Sequence, residues 1–231
     1  MIKINKYPFS LEAAHGLTKA LLEKINQSAE KNFHLALSGG NTPAGLFRLW
    51  VEEYKEVIPW KKVQLYWVDE RCVPPDHPES NYRMTKRILL DKVPLSDLQI
   101  HRIHGEDSPE VEAKRYSALI DNLLMKHEMY PVFDCILLGI GADGHTSSIF
   151  PGQDSLLISP ETYAVSVNPQ TGMKRIALTG LPIIHARNVF FFVTGKDKTD
   201  IIKEVIKGVD KYPAGYIVSR MEQSELFTDC I

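Results

Sequence analysis

The stretch FDCILLGIGADGH, residues 133–145, decides how this chain folds. Past Asp134 its first half is apolar at successive positions and too short for a helix, the mark of a strand buried on both faces. Its second half, Gly139-Ile140-Gly141-Ala142-Asp143-Gly144-His145, leaves that strand as a flexible turn carrying an acid and an imidazole. Outward from there the pattern recurs. FHLALSGG at 33–40, VQLYWV at 63–68 and the NVFFFVTG segment, with its strand near 189–194, read the same way, and further strands are expected near 163–167 and 175–179. Between them lie amphipathic segments. One helix is expected behind Ser10 as N-cap, where Leu11, Ala14, Leu17, Leu21, Leu22 and Ile25 follow at helical spacing. A second starts at Pro43 behind a Thr42 cap, with Leu46, Leu49, Trp50 and Tyr54 inward. Others are expected near 80–91 behind Ser80, at about 109–128, and at 196–208, ended by Gly208. Apolar strands alternating with such helices imply an α/β fold: one domain over 1–231, with a mainly parallel twisted sheet flanked by helices on both faces. In such folds ligands gather at the carboxyl ends of strands, so the loops at 38–43, 69–81 and 139–152 are expected together.

Composition narrows the partners. At 231 residues the chain is long enough for a substantial core, and 44% hydrophobic with 24% charged residues excludes a disordered or coiled-coil protein. Twenty-seven Lys+Arg against 29 Asp+Glu leaves a formal net charge of -2, so a protein that lives on the phosphates of nucleic acid is disfavoured. An anion must be held by local groups. Cys72, Cys135 and Cys230 form no CxxC pair, so neither a disulfide framework nor a zinc site is signalled. The opening MIKINKYPFSLEAAHG lacks the apolar run of a signal peptide, and no apolar stretch is long enough to span a membrane. The expectation is a cytoplasmic protein, a monomer or weak homodimer, acting on a small molecule without nucleic acid or membrane.

Three loops carry chemistry. Ser38-Gly39-Gly40-Asn41-Thr42-Pro43 joins a strand to a helix; its glycines and the helix start suit a phosphate, although a capped turn with no ligand reads equally well. It lacks the spacing and lysine of a Walker loop. Asp69-Glu70-Arg71 places three charges at the end of a buried strand, which demands either mutual pairing or a ligand. Acid–base work by the carboxylates, anion binding by Arg71, and a structural cluster all fit. In the third loop, Asp143 can orient His145, and a neutral imidazole can take a proton from water near neutrality.

Alternatives fit less well. The third loop formally contains GxGxxG, but Pro151 follows too soon for a long helix and YAVSV ends without an acidic residue for a ribose, so a dinucleotide is not expected. Ser147 and Ser148 lie outside any GxSxG elbow. Cys72 sits before Val73-Pro74-Pro75, which suggests packing rather than nucleophilic attack. No HExxH spacing calls for a metal, and His15, His34, His77, His101, His104, His127 and His185 read as ordinary surface or core histidines.

Taken together, SGGNTP, VDERCVPPDHPESNYRM and LLGIGADGHTSSIFPG, in this order, closely resemble the 6-phosphogluconolactonase family, as do KRIALTGLPIIHARNVFFFVTGKDK and YPAG downstream. The resemblance implies the fold of glucosamine-6-phosphate deaminases and ribose-5-phosphate isomerase. It implies hydrolysis of 6-phospho-D-glucono-1,5-lactone to 6-phosphogluconate. The related deaminases carry a glutamate five residues after the histidine, where this chain has Phe150, which cannot transfer a proton. A sugar-phosphate-binding regulator is the reading of another class; the chain shows no helix-turn-helix before the α/β pattern, and keeps Asp143 and His145. Two departures stand out: Asn41 where the family more often has serine, and His185 where it commonly has asparagine, to which no role is assigned.

On this resemblance His145 is expected to be the general base, with Asp143, Arg71, Asp69 and Glu70 as the other catalytic candidates and Arg71 facing the developing oxyanion. Ser38, Gly39, Gly40, Asn41, Thr42, Gly141 and Gly144 would line the substrate, and Arg175 and Lys198 would add positive charge for the phosphate, with Lys174 turned to solvent. Glu70 is expected to double as a partner of Arg71. The lactone is already an activated ester, so no cofactor or metal is expected.

Overall fold

The computed structural model describes residues 2–208 and 210–231. In chain order the elements are β1 (Lys3–Lys6), α1 (Ser10–Gln27), β2 (Phe33–Leu37), α2 (Asn41–Glu53), β3 (Val63–Trp67), β4 (Asp69–Arg71), α3 (Asn81–Ile88), β5 (Ile100–His101) and α4 (Pro109–Leu123). There follow β6 (Lys126–His127), β7 (Tyr130–Pro131), β8 (Cys135–Leu138), β9 (Tyr163–Val167), β10 (Lys174–Leu178), α5 (Gly180–Ile184), β11 (Val189–Val193), α6 (Thr199–Val205), α7 (Pro213–Arg220) and β12 (Ser224–Thr228).

Seven strands form one sheet in the order β1-β12-β11-β8-β2-β3-β5, and every neighbouring pair is parallel. All residues of β8 and β11 are buried. Adjacent side chains of a strand point to opposite faces, so full burial of Phe190 and Phe191 means that both faces are covered. Each such ring stabilises the fold by roughly 1.5–3 kcal/mol. Helices α1 and α2 pack on each other and on β11. Trp50 of α2 is wholly buried, and its indole donates to Thr18 Oγ1 of α1 at 2.9 Å, so the aromatic brings its polar atom inside without leaving it unpaired. One continuous hydrophobic cluster runs from Ile2 to Cys230.

Several boundaries differ from the sequence expectation. Helix α1 begins at Ser10 itself, with Phe9 in the cap position. Helix α2 begins at Asn41 rather than Pro43, because Gly40 takes φ 107 and turns the chain early; Thr42 is then inside the first turn and caps nothing. Helix α4 stops at Leu123, and Lys126–Pro131 form a hairpin whose turn residues Glu128 and Met129 have φ of 50 and 79. The 196–208 segment is a short 3₁₀ turn followed by α6, with Gly208 at φ 65 beyond it. The 69–71 segment is not a loop. It is strand β4, which pairs antiparallel with β10, itself paired with β9. The charges at the end of β3 therefore enter a second, smaller sheet whose ladder satisfies their backbone groups.

At the β3–β5 edge, two imidazoles are held in neutral surroundings. His34 Nδ1 meets the Tyr66 hydroxyl at 2.9 Å, and the ring of His101 stacks on Tyr66 at 4.6 Å while its Nε2 contacts Gln64 Oε1 at 3.0 Å. Burial lowers both pKa values, His34 against the opposing pull of Asp134 and Glu30, and His101 to about 4 with the charge of His34 adding to the effect. Between that value and the ordinary imidazole value of about 6.5 the unfolded chain binds protons that the folded chain refuses. The melting temperature is therefore expected to fall as pH drops through this window, and His101→Asn to make the fall shallower. Thermal melts at a series of pH values check this; an acid limb of unchanged steepness in the variant would assign it to other groups.

Candidate active site

Sheet topology locates the site. From β2 the chain adds β3 and β5 in one direction, and from β8 it adds β11 and β12 in the other, with β1 at the edge on β12, so the order reverses between β2 and β8. Ligands of open α/β sheets bind where the order reverses, beyond the carboxyl ends of the strands. Here Ser38 Oγ, just past β2, donates to the carbonyl of Leu137 in β8 at 2.8 Å and ties the two strand ends together. A cleft of about 210 Å³ lies over them and gathers residues from all three loops expected to meet there. A larger groove of about 740 Å³ lies at the amino ends of the strands, around Phe33, Asp134 and Asn188. It contains neither the glycine turn nor the acid–base pair described below, so size is the wrong guide here.

Ser38, Gly39, Gly40, Asn41 and Thr42 form one wall of the cleft. No side chain caps α2, so its first amides and the positive end of its dipole face the cleft unused. Gly39 has no room for a side chain: a Cβ would lie 1.9 Å from Asn81 Oδ1. Asn81, which sequence reasoning left unassigned, thus packs against the glycine turn, and its Nδ2 donates to the carbonyl of Asp69 at 2.8 Å.

Opposite stands His145. Its Nδ1 lies 2.6 Å from Asp143 Oδ1, and its amide donates to the same oxygen at 3.2 Å. Burial pushes the Asp143 carboxyl up, but the charge of His145 and its two hydrogen bonds outweigh this and hold it below the usual carboxylate range. An ionised acceptor on Nδ1 fixes the proton there and leaves Nε2 with its lone pair. The dyad sits directly on Gly141, where a Cβ would fall 2.2 Å from His145 Nδ1 and 2.6 Å from Asp143 Oδ1. Phe150 packs against the imidazole with ring centroids 4.6 Å apart. Asp143 lies behind His145, in a neighbouring recess, and does not itself line the cleft. Gly144 is also outside the cleft; its φ of 81 and its contact with the Tyr212 ring make it a packing residue for the start of α7.

The third wall is cationic. Arg71 and Arg175 are direct partners across the β4–β10 ladder, and each has a buried Nε without a hydrogen-bond partner. Like charges placed opposite each other repel, so the pair is suited to an anion between or beside them. Arg71 turns its guanidinium to the backbone carbonyl of Glu79 and to that residue's carboxylate at 3.7 Å. Asp69 is buried and binds Ser148 Oγ, Asn81 Nδ2 at 3.2 Å and Arg175 at 3.4 Å. Ser147 Oγ donates to the Leu178 carbonyl at 2.7 Å, and Ser147 and Ser148 both have positive φ, 52 and 56. Both hydroxyls are therefore occupied in holding the wall. Lys198 reaches the cleft from beyond β11, while Lys174 lies outside it, paired with Glu110 at 2.8 Å.

Glu70 departs from expectation. Its carboxylate accepts the amides of Arg71, Asn81 and Tyr82 at 2.7, 2.8 and 2.7 Å and the Ser80 hydroxyl at 3.0 Å, and it lies outside the cleft. Burial raises its pKa against those four bonds. It anchors the start of α3 to β4; it neither faces a ligand nor pairs with the Arg71 guanidinium. Burial likewise pushes the Cys72 thiol up to about 11, which removes it as a nucleophile near neutrality. Among the described residues, the two clusters with metal-ligating geometry, His127/Glu128/His185 and His104/Asp107/Glu112, both lie away from this cleft.

Residues 10–227 match the family described as glucosamine-6-phosphate isomerases/6-phosphogluconolactonase. The chain belongs to that family. It is 42% identical over 171 residues to the 6-phosphogluconolactonase of Treponema pallidum, covering 74% of this chain and 71% of that one. It is 37% identical over 227 residues to the 6-phosphogluconolactonase of Haemophilus influenzae, 94% of each chain. The solved 6-phosphogluconolactonase of Trypanosoma cruzi superposes with a TM-score of 0.87 at 28% identity, over 99% of this chain and 94% of that one. Among the described residues no helix is long and apolar enough to cross a membrane.

Removing the Asp69 carboxylate strands Arg175, Ser148 and Asn81 in a buried wall. Asp69→Ala is expected to lower unfolding free energy by about 3 kcal/mol, and Asn81→Ala by about 1 kcal/mol, measured by urea denaturation. Equal stability of the Asp69 variant and the parent would show that this wall carries no strain-bearing charge.

Proposed function

We propose that this chain hydrolyses 6-phospho-D-glucono-1,5-lactone to 6-phospho-D-gluconate, the second step of the oxidative pentose phosphate pathway. The observation that carries the reading is that one cleft is lined both by the uncapped start of α2 and by an imidazole aligned by a carboxylate. A phosphorylated sugar needs an anion cradle; a lactone needs a base for water. The relatives named above bear the same activity in their names.

In this mechanism the amides of Asn41 and Thr42, with the Ser38 turn, hold the phosphate. Arg71, Arg175 and Lys198 supply the positive charge that the dianion and the developing oxyanion require, which the protein's net charge of -2 does not. Anchoring the phosphate places the lactone carbonyl beside His145. Nε2 of His145 takes a proton from water as the oxygen attacks, Asp143 stabilises the imidazolium, and the proton returns to the departing ring oxygen. Asp69, Asn81 and Ser148 also line the cleft, and their mutual hydrogen bonds position Arg175 and the glycine turn beside the substrate. Because the lactone is an activated ester, the reaction needs no cofactor. The same reading makes the chain a cytoplasmic enzyme, a single domain acting as a monomer or weak homodimer, whose partner is a sugar phosphate rather than nucleic acid or membrane.

Phe150 separates this activity from the deaminases of the same family. It fills the position of their extra acid–base group and here packs on His145 and beneath Arg175, whose guanidinium carbon lies 5.6 Å from its ring centre. Ammonia release from glucosamine 6-phosphate is accordingly expected to be absent. A binding-only regulator would have no use for the aligned dyad.

His145→Ala is expected to lower kcat by about 10²–10⁴-fold with little change in KM, followed as acid release from freshly made lactone. Near-parental turnover by that variant dismisses the mechanism. Asp143, held below the usual carboxylate range, stays an ionised acceptor for Nδ1 near neutrality. Gly141→Ala, which drives a methyl into the dyad, is expected to cost about 10²-fold in kcat while circular dichroism and melting show an intact fold.

A further inference from the structure

We propose that His127, Glu128 and His185 form a binding site for a divalent transition metal of the zinc class, at the end of the sheet opposite the cleft. His127 and Glu128 lie on the β6–β7 hairpin, and His185 follows α5. One ligand atom from each lies within 4.8 Å of the other two. Zinc binds nitrogen and oxygen at about 2.0–2.2 Å, so a small rotation of the exposed Glu128 side chain closes the set around one ion.

The protonation pattern supports a cation. His185 Nδ1 lies 2.8 Å from the Leu181 carbonyl, which can only accept, so Nδ1 carries the proton. Nε2 then presents a lone pair, and it faces Glu128 Oε2 at 3.4 Å. A divalent cation between these two atoms would be coordinated by both. An imidazole with one nitrogen donating to a backbone carbonyl and the other free is the usual arrangement of a metal-bound histidine. The ring of Tyr130, 4.8 Å away, fixes the plane of His185, and the His127 ring lies 6.0 Å from it. The hairpin turn aims the third ligand: Glu128 has φ 50 in a position where Asn or Gly is usual, so a glutamate there is retained at a conformational cost. Two imidazoles and one carboxylate favour zinc, nickel or copper over magnesium and calcium. The remaining coordination positions open onto the groove of about 740 Å³, where water completes the shell. The ion would staple the β6–β7 hairpin to the end of α5, with no part in the chemistry at the cleft.

No sequence spacing announces this site, because Glu128 and His185 are 57 residues apart. The test uses the untagged full chain, stripped with EDTA and titrated with Zn²⁺ by calorimetry, with Co²⁺ absorption as a second readout. One ion per chain is expected, with a rise in melting temperature. His127→Gln, His185→Gln and the exposed Glu128→Gln should each weaken binding by at least about tenfold, while His104→Gln in the other cluster and His145→Ala in the cleft leave it unchanged. Lactone turnover at moderate temperature should be the same with and without the metal. Failure of the parent to bind Zn²⁺, or undiminished binding by the His127→Gln/His185→Gln double variant, or loss on His104→Gln instead, overturns the proposal.

Discussion

The structure turns on the parallel pairing of β2 with β8 at the point where strand order reverses. That pairing brings the ends of Leu37 and Leu138 side by side although they are separated by about a hundred residues of chain, as the Ser38–Leu137 hydrogen bond records. Everything chemical follows from it. The helix after β2 aims its free amides over the sheet, the turn after β8 supplies the imidazole, and the chain after β3 supplies the charged wall. A cradle and a base that belong to different βα units become one site because two backbones share a ladder.

Rigidity around that site is obtained with polar groups rather than apolar packing. Asp69 connects Ser148, Asn81 and Arg175, Glu70 fastens α3 to β4 through four hydrogen bonds, and Asn81 presses on Gly39. Buried charge is costly unless fully paired, so each of these residues depends on the others. Among the described residues the buried Nε atoms of Arg71 and Arg175 are points where this pairing stops, on two side chains that line the cleft. The glycines of the two turns divide accordingly: Gly39 and Gly141 are needed because side chains of the site rest on them, Gly40 because of its backbone, and Gly144 because Tyr212 rests on it.

Strands such as β8 and β11 were legible in the sequence because burial on both faces writes an uninterrupted apolar run. The edge strand β1, reading KINK and mostly exposed, writes no such run. The DER segment hid a strand behind its charges, since nothing local indicates that a second sheet pairs with them. Of the site, the glycine turns and His145 could be read from residue type and position. Glu70 could not: a carboxylate that caps a helix and one that faces a ligand look alike until the amides around it are placed. Asn81 was hidden for the same reason, and so were the paired histidines at the far end of the sheet.

The pairing of β1 with β12 orders events during synthesis. Among the described residues, residues 3–6 find their ladder only on residues 225–228, with Tyr7 also donating to Thr228. While the ribosome is still at work, β2, β3 and β8 can already assemble the heart of the enzyme, yet β1, made before them, must wait beside an open edge on β11 until β12 is made. Lys3, Asn5 and Lys6, being hydrophilic, keep that waiting segment from sticking to its neighbours. β12, made after β11, is thus the clasp that gathers in β1.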